Sequence, residues 1–303
     1  MIDKLIKAVT HPRLTIEWLL ETSHILYGLS DERYLKFLWY LKTGKNLNLE
    51  NPQTYNEKLQ WLKLHDRKPL YTQIVDKISV KYYVQRVLNS NKYIIPTLAV
   101  WDTPEQINID ELPNRFVLKT NNGSSSSGVI ICRDKARFDL ATAKKRLKKA
   151  FRQSVYKDTR EWPYKDIVPR VFAEEYKEDP SGELCDYKFF CFDGKVKALF
   201  VGMERFSEEV KFNFFDPDFN HIDLYQIHPM SDKQIEKPKN FEEMKRIASK
   251  LSNGFSHVRV DLYNIDGKIY FGEITFYHHS GFAPFHPKVW DYKFGEWIHL
   301  PFK

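Results

Sequence analysis

The chain has 303 residues, 42% of them apolar and 29% charged, with 22 Phe and 17 Tyr. That is enough apolar material for one large domain or two to three closely packed ones, and it excludes a disordered or fibrous chain. The formal charge of +7 is modest at this length and suits an anionic partner such as a nucleotide, an acidic sugar polymer or an anionic membrane surface; no nucleic-acid-binding motif is present, so nucleic acid is not expected.

Cys132, Cys185 and Cys191 form no C-x-x-C pair, so neither a disulfide framework nor a zinc site is expected, and the cysteines read as small apolar fillers in a reducing cytoplasm. Residues 1–20 set Asp3, His11, Arg13 and Glu17 among their apolar positions, which is unlike a signal peptide. No window has the roughly 18 uncharged apolar residues of a membrane span.

In chain order, Leu5, Ile6, Val9, Leu14, Ile16, Leu19, Leu20, Ile25 and Leu26 recur at roughly helical spacing, broken at Pro12 and Gly28. Tyr34-Leu35-Lys36-Phe37-Leu38-Trp39-Tyr40-Leu41-Lys42 reads as a second amphipathic helix. Its interleaved lysines and aromatics fit a packed helix with a solvated face, or a peripheral contact with the inner membrane. Thr54 with Glu57 three residues later forms a capping pattern ahead of Leu59, Trp61 and Leu62, which predicts a helix start. Asp76-Lys77 opens a further helical stretch through Val80, Tyr83, Val84 and Val87, after which Tyr93-Ile94-Ile95 and Thr97-Leu98-Ala99-Val100 read as strands. Strand, Gly/Ser turn and strand are predicted over 113–133, and a basic helix over 138–155. From Val168 onward strand signals dominate, with Asp193-Gly194 and Asp266-Gly267 as two-residue hairpin turns and a single interrupting helix over 241–251.

Two segments combine residue types that chemistry needs. In Phe116-Val117-Leu118-Lys119-Thr120-Asn121-Asn122-Gly123-Ser124-Ser125-Ser126-Ser127-Gly128 a strand ends on a lysine and runs into a donor-rich turn. Small residues let backbone N–H groups close on phosphate oxygens, hydroxyls add donors, and the lysine adds a point charge. The lysine precedes the glycines, so this is not a P-loop; an ordinary flexible hairpin is the alternative. In the second segment Arg259 and Asp261 share one strand face, Glu273 and Thr275 share a face of the next strand, and Asp266-Gly267 joins the two. If the hairpin registers on that turn, an arginine, two carboxylates and a hydroxyl converge. Such charges within apolar strands are costly to bury unless they hold a cation such as Mg²⁺ or one another. A third run, Val171-Phe172-Ala173-Glu174-Glu175-Tyr176, carries carboxylates out of an apolar strand and is followed by Asp186-Tyr187-Lys188.

Taken in order, Asp76-Lys77, Lys119 with its Gly/Ser turn, Glu174-Glu175-Tyr176, Asp186, Arg259-x-Asp261 and Glu273-x-Thr275 resemble the motif set of ATP-grasp ligases. The phrases NPQTYNEKLQW, DYKFFCFDGK, RVDLY and YFGEITFYHHSG resemble more closely the TupA-like ATP-grasp family, named for teichuronopeptide biosynthesis, from about residue 30 to the C-terminus. The resemblance implies an α+β fold in which two lobes, each with an antiparallel sheet, clasp ATP. A helical region would occupy 1–90, a small lobe with the Gly/Ser lid 91–173, and a large lobe with the Mg²⁺ site 174–303.

By the same resemblance, Lys77 and Lys119 would contact phosphates under the lid formed by Asn121, Gly123, Ser124, Ser125, Ser126, Ser127 and Gly128. Glu174, Glu175 and Tyr176 would read adenine, Asp186 would hold the ribose, and Lys188 would face nucleotide or substrate. Asp261, Glu273 and Thr275 would bind Mg²⁺, and Arg259 with Lys119 would stabilise the phosphoryl group in transfer. Thr275 stands where ATP-grasp ligases commonly have Asn, so it offers one neutral oxygen without an amide donor. The implied reaction joins a carboxylate to an amine through an acyl phosphate, on a uronic acid or amino acid of a cell-surface polymer. Two alternatives stand beside it. One is a kinase acting on a sugar hydroxyl, with His278 or His279 as base. The other is a glycosyltransferase using Asp216-Pro217-Asp218, a segment that also reads as a turn.

Overall fold

The structure, a computed structural model, describes residues 25–123, 128–179, 185–203 and 210–301. The helical pattern expected over 1–24 and the lid serines Ser124, Ser125, Ser126 and Ser127 lie outside the described residues.

Helix α1 (Asp31–Thr43) ends on Gly44 in the left-handed conformation and buries Tyr34, Leu35, Leu38, Trp39 and Leu41. The basic-aromatic run is thus a packed helix, and Lys36 on its open face pairs with Glu32 at 2.6 Å. Helix α2 (Tyr55–His65) starts where its capping box predicts: the Glu57 N–H donates to the Thr54 hydroxyl at 3.2 Å, and the Thr54 N–H donates to the Glu57 carboxylate at 3.0 Å. Helix α3 (Pro69–Val75) opens on a proline. Helix α4 (Val80–Leu88) begins later than the sequence pattern suggests. Asp76 accepts from the N–H groups of Ile78 (2.8 Å) and Ser79 (3.1 Å), so Asp76 and Lys77 belong to a turn ahead of the helix.

Tyr93-Ile94-Ile95, expected as a strand, is a turn. The Ile94 N–H closes back on the Asn91 carbonyl at 3.0 Å, and Pro96 has no N–H to offer a ladder. The first sheet follows, made of β1 (Thr97–Trp101), β2 (Phe116–Thr120), β3 (Val129–Cys132) and β4 (Val171–Glu175) in the order β1-β4-β2-β3, with every pair antiparallel. Helix α5 (Leu140–Phe151) packs Ala143 and Leu147 against Phe116, Leu118, Ile130 and Val171, which form this sheet's own core. The short helix α6 (Val155–Thr159) leads back toward β4.

The second sheet is also antiparallel throughout. It contains β5 (Asp186–Phe192), β6 (Lys195–Met203), β7 (Lys211–Phe215), β8 (His221–Ile222), β9 (His257–Ile265) and β10 (Lys268–Thr275) in the order β10-β9-β5-β6-β7-β8. Both Asp-Gly turns form as read: Asp193 and Gly194 have φ of 47° and 75°, and Asp266 and Gly267 have 47° and 73°. Positive φ at both central positions matches the twist of the flanking strands. Helix α7 (Phe241–Leu251) occupies the predicted span.

A further helix, α8 (Val289–Glu296), was not expected. Its β-favouring Val289, Trp290, Tyr292 and Phe294 obscure the helical period. It packs so closely on the start of α2 that a Cβ on Gly295 would sit 2.2 Å from the Gln53 carbonyl oxygen. The main core joins α2, α3, α4, α7 and α8 to the six-stranded sheet. Within it the Tyr55 hydroxyl lies 2.8 Å from Nε2 of His257, whose Nδ1 lies 2.9 Å from the Cys191 carbonyl oxygen. Burial pushes His257 down to about 3, so it is a neutral core group. Cys132 and Cys191 are buried fillers, and Cys132, Cys185 and Cys191 form no disulfide.

Candidate active site

The two sheets face each other across a cleft of about 760 Å³. On the first wall, Phe116 and Leu118 of β2 point into the core under α5, so Val117 and Lys119 point the other way, into the cleft. Strand β4 pairs alongside with Glu174 opposite Val117. The Glu174 carboxylate is gripped by two lysines: Lys119 on one oxygen and Lys81 on the other, the latter at 2.6 Å. Lys81 also donates to the Ile95 carbonyl (2.8 Å) and the Thr97 hydroxyl (2.6 Å). Lys77 reaches across from the turn before α4 to donate to the Gly123 carbonyl.

Burial lowers the Lys77 ammonium against the pull of Glu273, whereas at Lys119 the neighbouring Glu174 outweighs burial and holds the ammonium up. The Glu174 carboxyl, raised by burial, is brought below its ordinary range by Lys119 and Lys81. Two ammonium groups therefore share one carboxylate on this wall while a third, Lys77, rests on a carbonyl, and an anion is the natural complement.

The base of the Gly/Ser turn is built rigidly. Asn121 is fully buried; its amide donates to Asp76 (2.9 Å) and the Val168 carbonyl (3.0 Å), and its oxygen accepts from the Arg170 N–H (2.7 Å). Its side chain thus braces the Lys77 turn against β4's entry instead of facing the cleft. A Cβ on Gly128 would lie 2.5 Å from the Thr120 hydroxyl and one on Gly123 3.3 Å from it, so both ends of the turn close on Thr120.

On the second wall, β9 turns Val258, Val260 and Leu262 into the core and Arg259 and Asp261 into the cleft. Counting back from the turn, where Ile265 pairs with Lys268, unbroken pairing would set Glu273 opposite Val260, on the wrong face. A bulge between Phe271 and Glu273 shifts the register by one, pairing Glu273 with Asp261 and Thr275 with Arg259. Gly272 permits it, since a Cβ there would press on the Asp261 carbonyl oxygen at 3.1 Å. The expected convergence of Arg259, Asp261, Glu273 and Thr275 is present, and the bulge produces it.

Arg259 donates to Asp261 through Nε (2.7 Å) and Nη2 (2.8 Å), and through Nη2 to Glu273 and to the Thr275 hydroxyl, both at 3.1 Å. Its Nη1 meets Nδ1 of His278 at 2.6 Å, while Nε2 of His278 lies 2.9 Å from the Gln226 side-chain oxygen. Strand β5 adds Lys188, which pairs with Asp186 at 2.7 Å and also with Asp261. Burial would raise the Asp261 carboxyl, but Arg259 and Lys188 bring it well below the usual range. This wall carries three carboxylates, Asp186, Asp261 and Glu273, against two cations.

Of the expected site residues, Lys77, Lys119, Glu174, Glu175, Tyr176, Asp186, Lys188, Arg259, Asp261, Glu273 and Thr275 all line the one cleft. Ile95, Val117, Ile131, Phe172, Tyr263 and Phe271 give it an apolar end beside Glu175 and Tyr176. The Glu175 N–H is taken by the Pro96 carbonyl at 3.1 Å, and the Tyr176 ring is stacked by Arg115 at 5.1 Å.

Among the described residues no group of three His, Cys, Asp or Glu side chains forms a metal site. The donor set still suits Mg²⁺, which commonly takes one or two carboxylates and completes its shell with water and substrate phosphates. Glu273, about a third exposed (35%), is the carboxylate best placed to give an oxygen; Asp261 already answers Arg259 and Lys188.

Lys81, Glu161 and Tyr164 are among the cleft residues that the sequence does not single out. Lys81 had a faint signal, four residues after Lys77. The kinase base fares poorly at His278: with Nδ1 accepting from Arg259 and Nε2 donating to Gln226, no lone pair is left. Asp216 and Asp218 form a turn, Asp216 accepting from the N–H groups of Asp218 (2.9 Å) and Asn220 (2.8 Å).

The family model described as TupA-like ATP-grasp matches residues 57–299. No curated protein matches the chain. Among solved structures the chain is similar to a D-alanine–D-alanine ligase from Helicobacter pylori, at 16% identity over 80% of this chain and 69% of that one, with a TM-score of 0.45. It is also similar to an L-amino acid ligase from Bacillus licheniformis, at 14% identity over 84% of this chain and 57% of that one, with a TM-score of 0.47. A D-alanine–D-alanine ligase from Bacillus anthracis complexed with ATP is 18% identical over 72% of this chain, which spans 57% of that protein's length, with a TM-score of 0.39. With a family match that runs over most of its length, the chain belongs to the TupA-like ATP-grasp family.

Proposed function

We propose that the protein joins a carboxylate to an amine through an acyl phosphate, using the nucleotide held between the two walls. The opposed charge of those walls carries this reading: Lys81 and Lys119 on Glu174, with Lys77 on the Gly123 carbonyl, face three carboxylates around Arg259 and Lys188. A magnesium nucleotide has the complementary pattern, with phosphate oxygens for the lysines and a hard cation for the carboxylates.

In this reading adenine lies at the apolar end near Glu174, Glu175 and Tyr176, with the ribose toward Asp186. Lys77, Lys81 and Lys119 hold the phosphates. A substrate carboxylate oxygen bonds to the γ-phosphorus as the bond to ADP breaks, and Arg259, fixed by Asp261, stabilises the charge on the moving phosphoryl group. Mg²⁺, held by Glu273 and Asp261 with Thr275 beside them, would neutralise phosphate charge. The amine nitrogen then bonds to the acyl carbon and phosphate leaves. No protein nucleophile is required.

The substrate we favour is a uronic acid or amino acid of a cell-surface polymer, which the net positive chain suits. No helix among the described residues is long and apolar enough to cross a membrane, and use of ATP fits work in the cytoplasm. The test is titration calorimetry with ATP and Mg²⁺ on the parent, Lys119→Ala and Glu273→Ala. Binding to the parent, weakened by about 1–3 kcal/mol in either variant as lost charge-assisted contacts require, supports the reading; binding of a nucleotide-sugar but not of ATP would overturn it.

A further inference from the structure

In the part of the cleft lined by Glu161 and Ser280, a cluster of buried polar groups is left without a role in the nucleotide reading. His279, Ser280 and Gly281 are consecutive residues in the left-handed region, with φ of 45°, 56° and 68°. Two of them carry side chains, and such backbone persists only where its surroundings impose it. Helix α2 imposes it from below. Gln60 donates to the carbonyls of Ser280 (3.0 Å) and Gly281 (2.9 Å), and Lys63, with no exposed surface, donates to the Ser280 carbonyl and hydroxyl, both at 2.9 Å. Lys63 also holds the Thr159 carbonyl at 2.9 Å, just ahead of Glu161. Glu161 is only 5% exposed, yet it lines the cleft, as does Ser280.

The Glu161 carboxyl is raised by burial, while Lys63 and the hydroxyls of Ser280 and Thr159 favour its charged form. Glu161, Tyr164 and Tyr277 line the same cleft as Arg259 and Glu273, so this carboxyl shares the cavity in which the phosphoryl group would move. A buried carboxylate flanked by a hydroxyl on a strained turn, with a buried lysine behind it, is expensive to maintain, and the nucleotide reading gives it no task.

We propose that this part of the cleft is the amine site, and that Glu161, with the Ser280 hydroxyl as its relay, accepts the proton shed as the amide forms. The inference rests on the ligase reading. The amine enters as the free base, and its nitrogen lone pair forms the bond to the acyl carbon. The carbon–oxygen bond to phosphate breaks and its electron pair leaves on phosphate. The proton released from nitrogen passes through the Ser280 hydroxyl to the Glu161 carboxylate, and from there to solvent. Lys63 is a positioning residue that holds Ser280 in place.

The experiment separates the two halves of the reaction on the full chain with ATP and Mg²⁺, using D-glucuronate or L-glutamate as the carboxylate. Hydroxylamine traps an acyl phosphate without help from an enzyme, whereas glycine as acceptor needs the amine site. Glu161→Gln should form hydroxamate within about threefold of the parent while its amide formation with glycine falls roughly 10²–10⁴-fold, the usual worth of a general base. Ser280→Ala, which removes one hydroxyl and leaves Lys63 its bonds to Gln60 and to the Ser280 and Thr159 carbonyls, should show the same split with a smaller fall and serves if Glu161→Gln does not fold. Equal loss in both assays, or amide formation left intact, overturns the inference while the parent's hydroxamate keeps the ligase reading. A parent that forms no hydroxamate overturns both.

Discussion

Arg259 grips Asp261 with two nitrogens, Nε at 2.7 Å and Nη2 at 2.8 Å, one on each carboxylate oxygen. A lysine cannot reproduce that fork, nor reach His278 and Glu273 at the same time. Arg259→Lys should therefore lower hydroxamate formation by about 10²–10³-fold, the scale of losing one preorganised charge at a transition state. Arg259→Ala leaves Asp261, 1% exposed, held by Lys188 alone and should cost roughly 3–5 kcal/mol in urea unfolding, as for a broken buried pair. Near-parent turnover in Arg259→Lys would reduce the arginine to a structural tie.

Glu174 stands between Lys81 and Lys119 as the counter-charge of both lysines. Glu174→Gln removes the shared counter-charge and should destabilise the free protein by about 1–3 kcal/mol. Because phosphate oxygens then supply the missing charge, ATP with Mg²⁺ should raise the melting temperature of the variant more than that of the parent. An equal or smaller rise would mean that these lysines do not meet the nucleotide.

Much of this was legible in the sequence wherever local chemistry decides the outcome. The capping box at Thr54, the two Asp-Gly turns and the span of α7 all formed as read. The Arg259, Asp261 and Glu273 cluster was legible in its members but not in its cause. Counting by twos from the turn sends Glu273 to the wrong face, and a single bulge at Gly272 corrects it; a glycine inside a strand pattern is the only signal for that. Glu161 and Lys63 were illegible because nothing local marks them. They meet through α2, the segment after α6 and the 278–281 turn, which tertiary packing alone brings together.

Thr120 and Gly128 make a pair test for the base of the Gly/Ser turn. The Thr120 hydroxyl is buried and makes no hydrogen bond among the described residues, and it sits where a Cβ on Gly128 would fall. Gly128→Ala should cost about 1–3 kcal/mol through overpacking, Thr120→Ala alone should cost less, and the double variant should recover most of the Gly128→Ala loss. Additive losses across the cycle, read from denaturant midpoints, would show that the two sites do not press on each other.

The buried pair Lys63 and Glu161 should leave a mark on stability against pH. Burial pushes the Lys63 ammonium down to about 7, with Glu161 pulling it up and Lys42 adding to the fall. In the unfolded chain the same lysine titrates at roughly 10.4. Between those limits the unfolded state binds more protons than the folded one, so stability must rise as pH climbs through that window. Glu161 acts in the opposite sense lower down: its carboxyl is raised by burial, so the folded chain keeps a proton the unfolded chain has lost, and stability falls as pH rises above its ordinary range. Together they set a shallow minimum near neutrality. The double variant Lys63→Met with Glu161→Gln removes both titrations. Its unfolding free energy, subtracted from that of the parent at each pH, should give a difference that grows in the parent's favour from about pH 7 to about pH 10, the interval between the folded and unfolded lysine. A difference that stays flat across that interval would mean that Lys63 remains charged throughout, held by the Ser280, Thr159 and Gln60 oxygens against the cost of its burial.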